Sequence, residues 1–220
     1  MGADETLDLF PERAKRTLEL HAPLAERMRP KTLADYVGQK HLVGDGAVLR
    51  RAVENKNIPS IILWGPPGVG KTTLANIIAS ELKRPFYALS AINSGVKDIR
   101  EVIDKASGGG LFTEKPVLFI DEIHTIIGAG GAEGTLDAAN ILKPAMARGQ
   151  ICLIGATTMN EYQKYIEKDS ALERRFQKVD VPEPDHDTAM EIISGLRSTF
   201  EEFHNLIIDD DAVEDAVALS

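Results

Sequence analysis

The sequence predicts an α/β domain built on a mostly parallel sheet, and three observations carry that expectation. Short apolar runs recur along the chain, IILW (61–64), FYAL (86–89), VLFI (117–120) and ICLIGA (151–156), and QKVDV (177–181) follows as a fifth strand candidate. Stretches of helical periodicity separate them, so strands and helices alternate. The glycine-rich string GPPGVGKT (65–72) stands between the first run and a helix-like segment, the strand–loop–helix setting that a phosphate-binding loop requires.

Each element has its own reason. Residues 1–22 read as an N-terminal helical extension, since 12–28 are helix-like in composition with Pro23 as a break. ADYVGQKHLVG (34–44) reads as a loop and a short helix, the Gly44-Asp45-Gly46 turn follows, and 47–56 are helical. IILW is a buried strand because a continuous apolar run needs cover on both faces. A helix over 71–82 starts directly after Gly70, and FYAL is the second strand. VKDIREVIDKA (96–106) places Val96, Ile99, Val102 and Ile103 on one face. SGGGLFTEKP (107–116) reads as a loop before the third strand, VLFI. Residues 134–148 form a helix that Pro144 is expected to kink, since proline lacks the N–H that the ladder uses. ICLIGA and QKVDV are strands four and five, the last stopped by Pro182 and Pro184. Helical patterns over 186–204 and 210–219 then read as a partial lid domain, 184–220, behind an α/β domain over 23–183.

The bulk numbers exclude several classes. With 220 residues, 43% hydrophobic and 27% charged, the chain has the make-up of a soluble globular domain. No run of 18 apolar residues predicts a membrane span, and the acidic start MGADETLDLF is unlike a secretory leader. Cys152 is alone and reads as a buried small hydrophobe, which suits a reducing cytoplasm. The net charge of −9 is unevenly placed. Residues 180–220 hold twelve acids and one base, leaving 22 acids and 24 bases before them. Six bases between Arg13 and Lys31 read as a solvated helical face rather than a nucleic-acid stripe, because aromatics do not interleave them.

The chemistry gathers in four strings. In GPPGVGKT (Gly65, Pro66, Pro67, Gly68, Val69, Gly70, Lys71, Thr72), glycines let backbone N–H groups turn toward phosphate oxygens, and the following helix N-terminus adds a favourable dipole. Lys71 would reach the β and γ phosphates, and the Thr72 hydroxyl would hold Mg²⁺. VLFIDEIH ends a buried strand in two acids. Asp121 suits the metal and Glu122 suits polarising an attacking water. His124 reads as structural or exposed rather than as a ligand, since no second histidine or cysteine stands at ligand spacing. IGATT (154–158) ends a strand in two hydroxyls that can orient that water, and ALERRF (171–176) places Arg174 and Arg175 after a short helix. Paired arginines there suit stabilising charge on a neighbour's nucleotide, which requires an oligomer.

These four strings, in this order, resemble the AAA+ ATPases over nearly the whole chain. The resemblance implies ATP and Mg²⁺ as cofactors and five parallel strands in the order 5-1-4-3-2, flanked by helices. It makes GPPGVGKT the Walker A string, with Thr73 completing the nucleotide contacts, and VLFIDE the Walker B string. It makes Thr158 the preferred first sensor, with Thr157 as reserve, and Arg174 and Arg175 the arginine fingers. Residues 23–106 are similar to the replication-associated recombination protein A group, through PLAERMRPKTLADYVGQKHLVG, ILWGPPGVGKTTLA and ALSAINSGVKDIREVIDKA. There the resemblance lays Val37, Gly38 and Gln39 against the adenine. Residues 115–220 are similar to the first ATPase module of the Clp-family unfoldases, through VLFIDEIHTIIGAGGAEGTLDAANILKPAMARG and IGATTMNEYQKYIEKDSALERRFQKV. The aromatic pore-loop string of such modules has no counterpart between the two Walker strings, and Arg197 is the sole candidate for the lid arginine called sensor 2.

Two classes of function follow as expectations. One is a ring-forming ATPase that remodels a macromolecule, either DNA replication or recombination intermediates or protein. The other is an ATP-binding oligomerisation module with little turnover, including a composite of two relatives joined between Ala106 and Pro116. In a composite, the strain would fall on the packing of strands one and two against strands three to five.

Overall fold

A computed structural model describes residues 23–91, 95–107, 115–128 and 135–219. The expected N-terminal extension (1–22) and most of the glycine-rich loop lie outside the described residues. In chain order the elements are α1 (Leu24–Arg27), α2 (Lys40–Val43), α3 (Val48–Glu54), β1 (Ile61–Trp64), α4 (Lys71–Glu81), β2 (Phe86–Ser90), α5 (Val96–Ser107), β3 (Val117–Asp121), α6 (Ile123–Gly128), α7 (Thr135–Ala147), β4 (Cys152–Thr157), α8 (Met159–Glu161), a π-helical turn (Tyr162–Ile166), α9 (Ser170–Glu173), β5 (Gln177–Asp180), α10 (His186–His204) and α11 (Asp210–Ala218).

The sheet has five strands in the order β2-β3-β4-β1-β5, the expected order read from its other edge. Every pairing is parallel, with Ile61 opposite Ile154 and Gln177, and Phe119 opposite Ile154 and Ala88. All five strands therefore end on one edge. Ligands of open α/β sheets bind at that edge.

Helices cover both faces, which explains the continuous apolar runs. Successive residues of a strand point to opposite faces. Ile61 and Leu63 join Leu74, Ala75 and Ile78 of α4 and Leu49 and Val53 of α3 in one core. Ile62 joins Ile99 and Val102 of α5, Leu142 of α7 and Tyr162 of the π turn in the other. The two stretches of differing resemblance interlock in both cores. Phe86 of β2 stacks on Phe119 of β3 at 6.2 Å between ring centroids, and Trp64 meets the Tyr162 ring edge-on at 5.3 Å. Central strand residues on both sides of that junction, Ile61, Ile62, Leu118 and Ile154, are fully buried.

Helix α7 runs continuously through Pro144. Cys152 is buried as expected, and burial pushes its thiol up to about 11. Asp169 caps α9 through the amides of Ala171 and Leu172 and takes a 2.6 Å bond from Lys143 of α7. Helix α10 is capped by Asp185, which accepts from the Thr188 amide at 2.9 Å. Arg197 of α10 donates to Glu201 at 3.1 Å and also to Asp210 of α11, so the sensor-2 candidate ties the two lid helices together.

Candidate active site

The site is built where β1, β3 and β4 end. Leaving β1, the chain makes an abrupt turn at Gly65, whose amide donates to the Thr157 carbonyl of β4 at 3.2 Å. The loop then needs left-handed backbone at Gly68 (φ +85°) and Gly70 (φ +88°), which glycine adopts without a Cβ penalty. Gly70 caps α4 and Lys71 begins it. Pro66 and Val69 are half-buried, while Pro67 and Gly68 are exposed. The Lys71 ammonium donates to the carbonyls of Gly65 at 2.9 Å and Pro66 at 2.6 Å. Burial lowers its pKa, whereas Asp121, Glu122 and Glu161 act in the opposite direction. Those three carboxylates and the loop lysine therefore share one electrostatic neighbourhood. Thr72, half-buried, stands in the first turn of α4 beside Thr73, whose hydroxyl accepts from Arg29 at 3.2 Å.

Asp121 is the last residue of β3. Its carboxylate accepts from the Glu122 amide at 3.1 Å, and both side chains are half-buried. Glu122 has φ +54°. A non-glycine residue in the left-handed region costs on the order of 1 kcal/mol, and such strain collects at functional sites. The turn at Glu122 leads straight into α6, and the Thr125 amide and hydroxyl both bond the Glu122 carbonyl at 2.9 Å.

The two threonines that end β4 have different surroundings. Thr157 is buried, with its hydroxyl 3.0 Å from His124 Nδ1. Thr158 opens α8 with a capping box: its hydroxyl donates to Glu161 at 2.7 Å, and its amide donates to the same carboxylate at 3.2 Å. His124 is buried, and it does not stand alone. Its Nε2 lies 3.1 Å from Glu161 and its Nδ1 3.5 Å from Glu122. Glu122, His124 and Glu161 bring one donor atom each within 4.8 Å of one another. Glu161 was missed by reading the sequence, because a search for paired His and Cys at ligand spacing does not register a glutamate 37 positions downstream of the histidine.

Arg174 and Arg175 lie exposed at the end of α9, where they donate to the Ser170 and Ala171 carbonyls. Val37, Gly38 and Gln39 line a cavity of about 900 Å³ with Tyr36, Val69 and Gly70. Its opposite wall comes from the lid, through Ile192, Leu196 and Phe200 of α10. Gln39 donates its amide nitrogen to the Pro182 carbonyl at 2.6 Å, while its Oε1 is buried without a partner. An apolar cavity of this size beside a phosphate-type loop fits a purine base. The donor set for a metal also fits: a Thr72 hydroxyl and an Asp121 carboxylate are hard oxygen ligands of the kind Mg²⁺ takes.

The family model for the ATPase family associated with various cellular activities (AAA) matches residues 61–182. The chain belongs to the AAA ATPase family. A second family model, an AAA lid domain, matches residues 185–220. Among curated relatives, ClpC/MecB of Bacillus subtilis, a negative regulator of genetic competence, is 42% identical over 81% of this chain and 24% of its own length. The chaperone protein ClpB of Aquifex aeolicus is 40% identical over 100% of this chain and 23% of its own length. The chain thus spans about a quarter of the curated relatives it matches. A solved structure of Hsp104 with ATPγS and FITC casein superposes with a TM-score of 0.63 at 32% identity, covering 89% of this AAA chain and 34% of that one. The Thermotoga maritima RuvB Holliday junction branch migration motor gives 0.62 at 27% identity, covering 85% of this chain and 58% of that one. Among the described residues of this AAA ATPase, no helix is long and apolar enough to cross a membrane.

Proposed function

We propose that this AAA ATPase binds ATP on the 65–72 loop and hydrolyses it to remodel a protein substrate. The observation that carries the reading is geometric: the loop with left-handed Gly68 and Gly70 hands Lys71 to the start of α4 at the same sheet edge where β3 ends in Asp121 and Glu122. Lys71 holds the β and γ phosphates. Bound Mg²⁺ would neutralise phosphate charge there, held by Thr72 and Asp121. Glu122 takes the proton of the attacking water. The Thr158 hydroxyl donates its hydrogen bond to Glu161, so its free lone pair serves that water as an acceptor and orients it. Val37, Gly38, Gln39 and the lid wall take the base.

Arg174 and Arg175 act in trans. Their exposure at the end of α9 suits reaching a neighbouring chain's ATP, so the active form is a self-assembled ring. Identity of 40–42% to ClpB and ClpC favours a protein substrate, and the lone buried thiol of Cys152 suits a cytoplasmic setting. The RuvB likeness supports a second reading, remodelling of branched DNA.

A steady-state ATPase assay with unfolded casein and with forked DNA separates the two. Stimulation of about twofold or more by casein alone is expected on the binding-linkage argument that a substrate gripped during turnover shifts its rate. Stimulation by forked DNA alone would move the assignment to the DNA reading.

A further inference from the structure

We propose that Glu161 and His124 form a positioning pair that holds Thr158 and Glu122 in fixed relation across the ends of β3 and β4. The inference rests on the ATPase reading above and adds two residues to it. Neither is among the residues to which the family resemblance assigns a role.

The argument begins with acceptor capacity. A carboxylate accepts and cannot donate. Glu161 Oε2 takes the Thr158 hydroxyl at 2.7 Å and the Thr158 amide at 3.2 Å, and lies 3.4 Å from the Thr157 hydroxyl. Oε1 faces His124 Nε2 at 3.1 Å, so that nitrogen carries a proton. The ring is thereby fixed with its other edge, Nδ1, toward Thr157 at 3.0 Å and Glu122 at 3.5 Å. The Tyr165 ring stacks on the imidazole at 5.9 Å, which limits its rotation.

Burial alone would push the Glu161 carboxyl up, but hydrogen bonds from Thr158, together with His124, hold it below its ordinary value. It is an anion at neutral pH and accepts throughout. Glu122 gains most from the arrangement. It sits on strained backbone at φ +54° with a half-exposed carboxylate, so contacts beyond its own turn must fix its direction. His124 Nδ1 lies 3.5 Å from that carboxylate and pairs with it in the imidazolium form, with Nε2–H toward Glu161 and Nδ1–H toward Thr157 and Glu122. Thr158 and Glu122 lie at the ends of different strands, and the Glu161–His124 bridge links them through side chains.

The test is enzyme kinetics on the full chain. Glu161→Gln keeps the shape but leaves one acceptor oxygen, so either Thr158 or His124 loses its partner and faces an amide donor. His124→Phe keeps the stacking surface and removes both nitrogens. Each variant is expected to lower kcat by about 10–100-fold, the range typical of residues that orient a reacting group through another. KM for ATP and thermal stabilisation by ATP should stay close to wild type in both, while His124→Phe, which leaves the buried partners of the imidazole unpaired, melts a few degrees lower. The double variant should be no slower than the slower single, because the two act as one unit.

An unchanged kcat in Glu161→Gln would overturn the pair. So would additive losses in the double variant, or a fall in kcat matched by weaker ATP binding and lower melting temperature, which is the signature of a structural role. Glu122→Gln runs in the same assay. If wild type turns over no faster than Glu122→Gln, the ATPase reading falls and the pair falls with it, whereas failure of the pair alone leaves wild type well above that variant.

Discussion

Replacing Glu122 with Gln is expected to lower ATP turnover by about a hundredfold or more while leaving ATP binding intact. The size follows from removing a general base, which contributes on the order of 10²–10⁴ in rate. Selectivity follows from position. Glu122 is the residue after β3, with a half-exposed carboxylate turned out of the sheet edge, while the loop that holds phosphate comes from β1 and α4. Glutamine has the same length and can occupy the same backbone, so the turn into α6 survives. Phosphate release under saturating ATP and Mg²⁺, paired with ATP-dependent shifts in melting temperature, reads the two properties separately. A variant within a few-fold of wild type would remove Glu122 from the chemistry.

The largest structural effect is expected at Gly65. A Cβ there would lie 2.1 Å from the Val181 carbonyl oxygen and 3.0 Å from its carbon. Both are backbone atoms, held because the Val181 amide donates to the Trp64 carbonyl at 2.8 Å and β5 pairs with β1 along its length. No side chain can rotate away. To admit a methyl group, β1 and the end of β5 must part just where the phosphate loop begins. Overpacking costs up to about 3 kcal/mol, and for a chain of this size that amounts to roughly 10 °C in melting temperature. Gly65→Ala should therefore melt well below wild type and lose stabilisation by ATP. Gly195→Ala is the control: a Cβ there meets nothing within 4 Å, and alanine in a helix is favoured over glycine by about 1 kcal/mol. Equal melting of Gly65→Ala and wild type would contradict the packing described for the sheet edge.

Much of the fold was legible because its signals are local. The central strands β1, β3 and β4 are apolar runs of four to six residues covered on both faces, and the loop glycines stand where positive φ is needed. What was not legible is long-range or conformational. The lid wall of the cavity brings Ile192 and Leu196 opposite Val37, a contact between segments more than 150 residues apart. The left-handed backbone at Glu122 has no marker, since glutamate is not a residue that favours it. The π turn at Tyr162–Ile166 looks like ordinary helix in sequence, yet it begins directly after Glu161 and buries Tyr162 against Trp64. The Phe86–Phe119 stack and the fully buried residues of β1, β3 and β4 lie on both sides of the junction between the two resemblances.

The central claim is that this AAA domain hydrolyses ATP at a site that a neighbouring chain completes. The most direct measurement is phosphate release per chain as protein concentration is raised, under saturating ATP and Mg²⁺, with Lys71→Ala beside the wild type. Turnover per chain that climbs with concentration, in step with mass in solution, and is absent in Lys71→Ala is the predicted result. Phosphate release that never exceeds Lys71→Ala at any concentration would contradict the account.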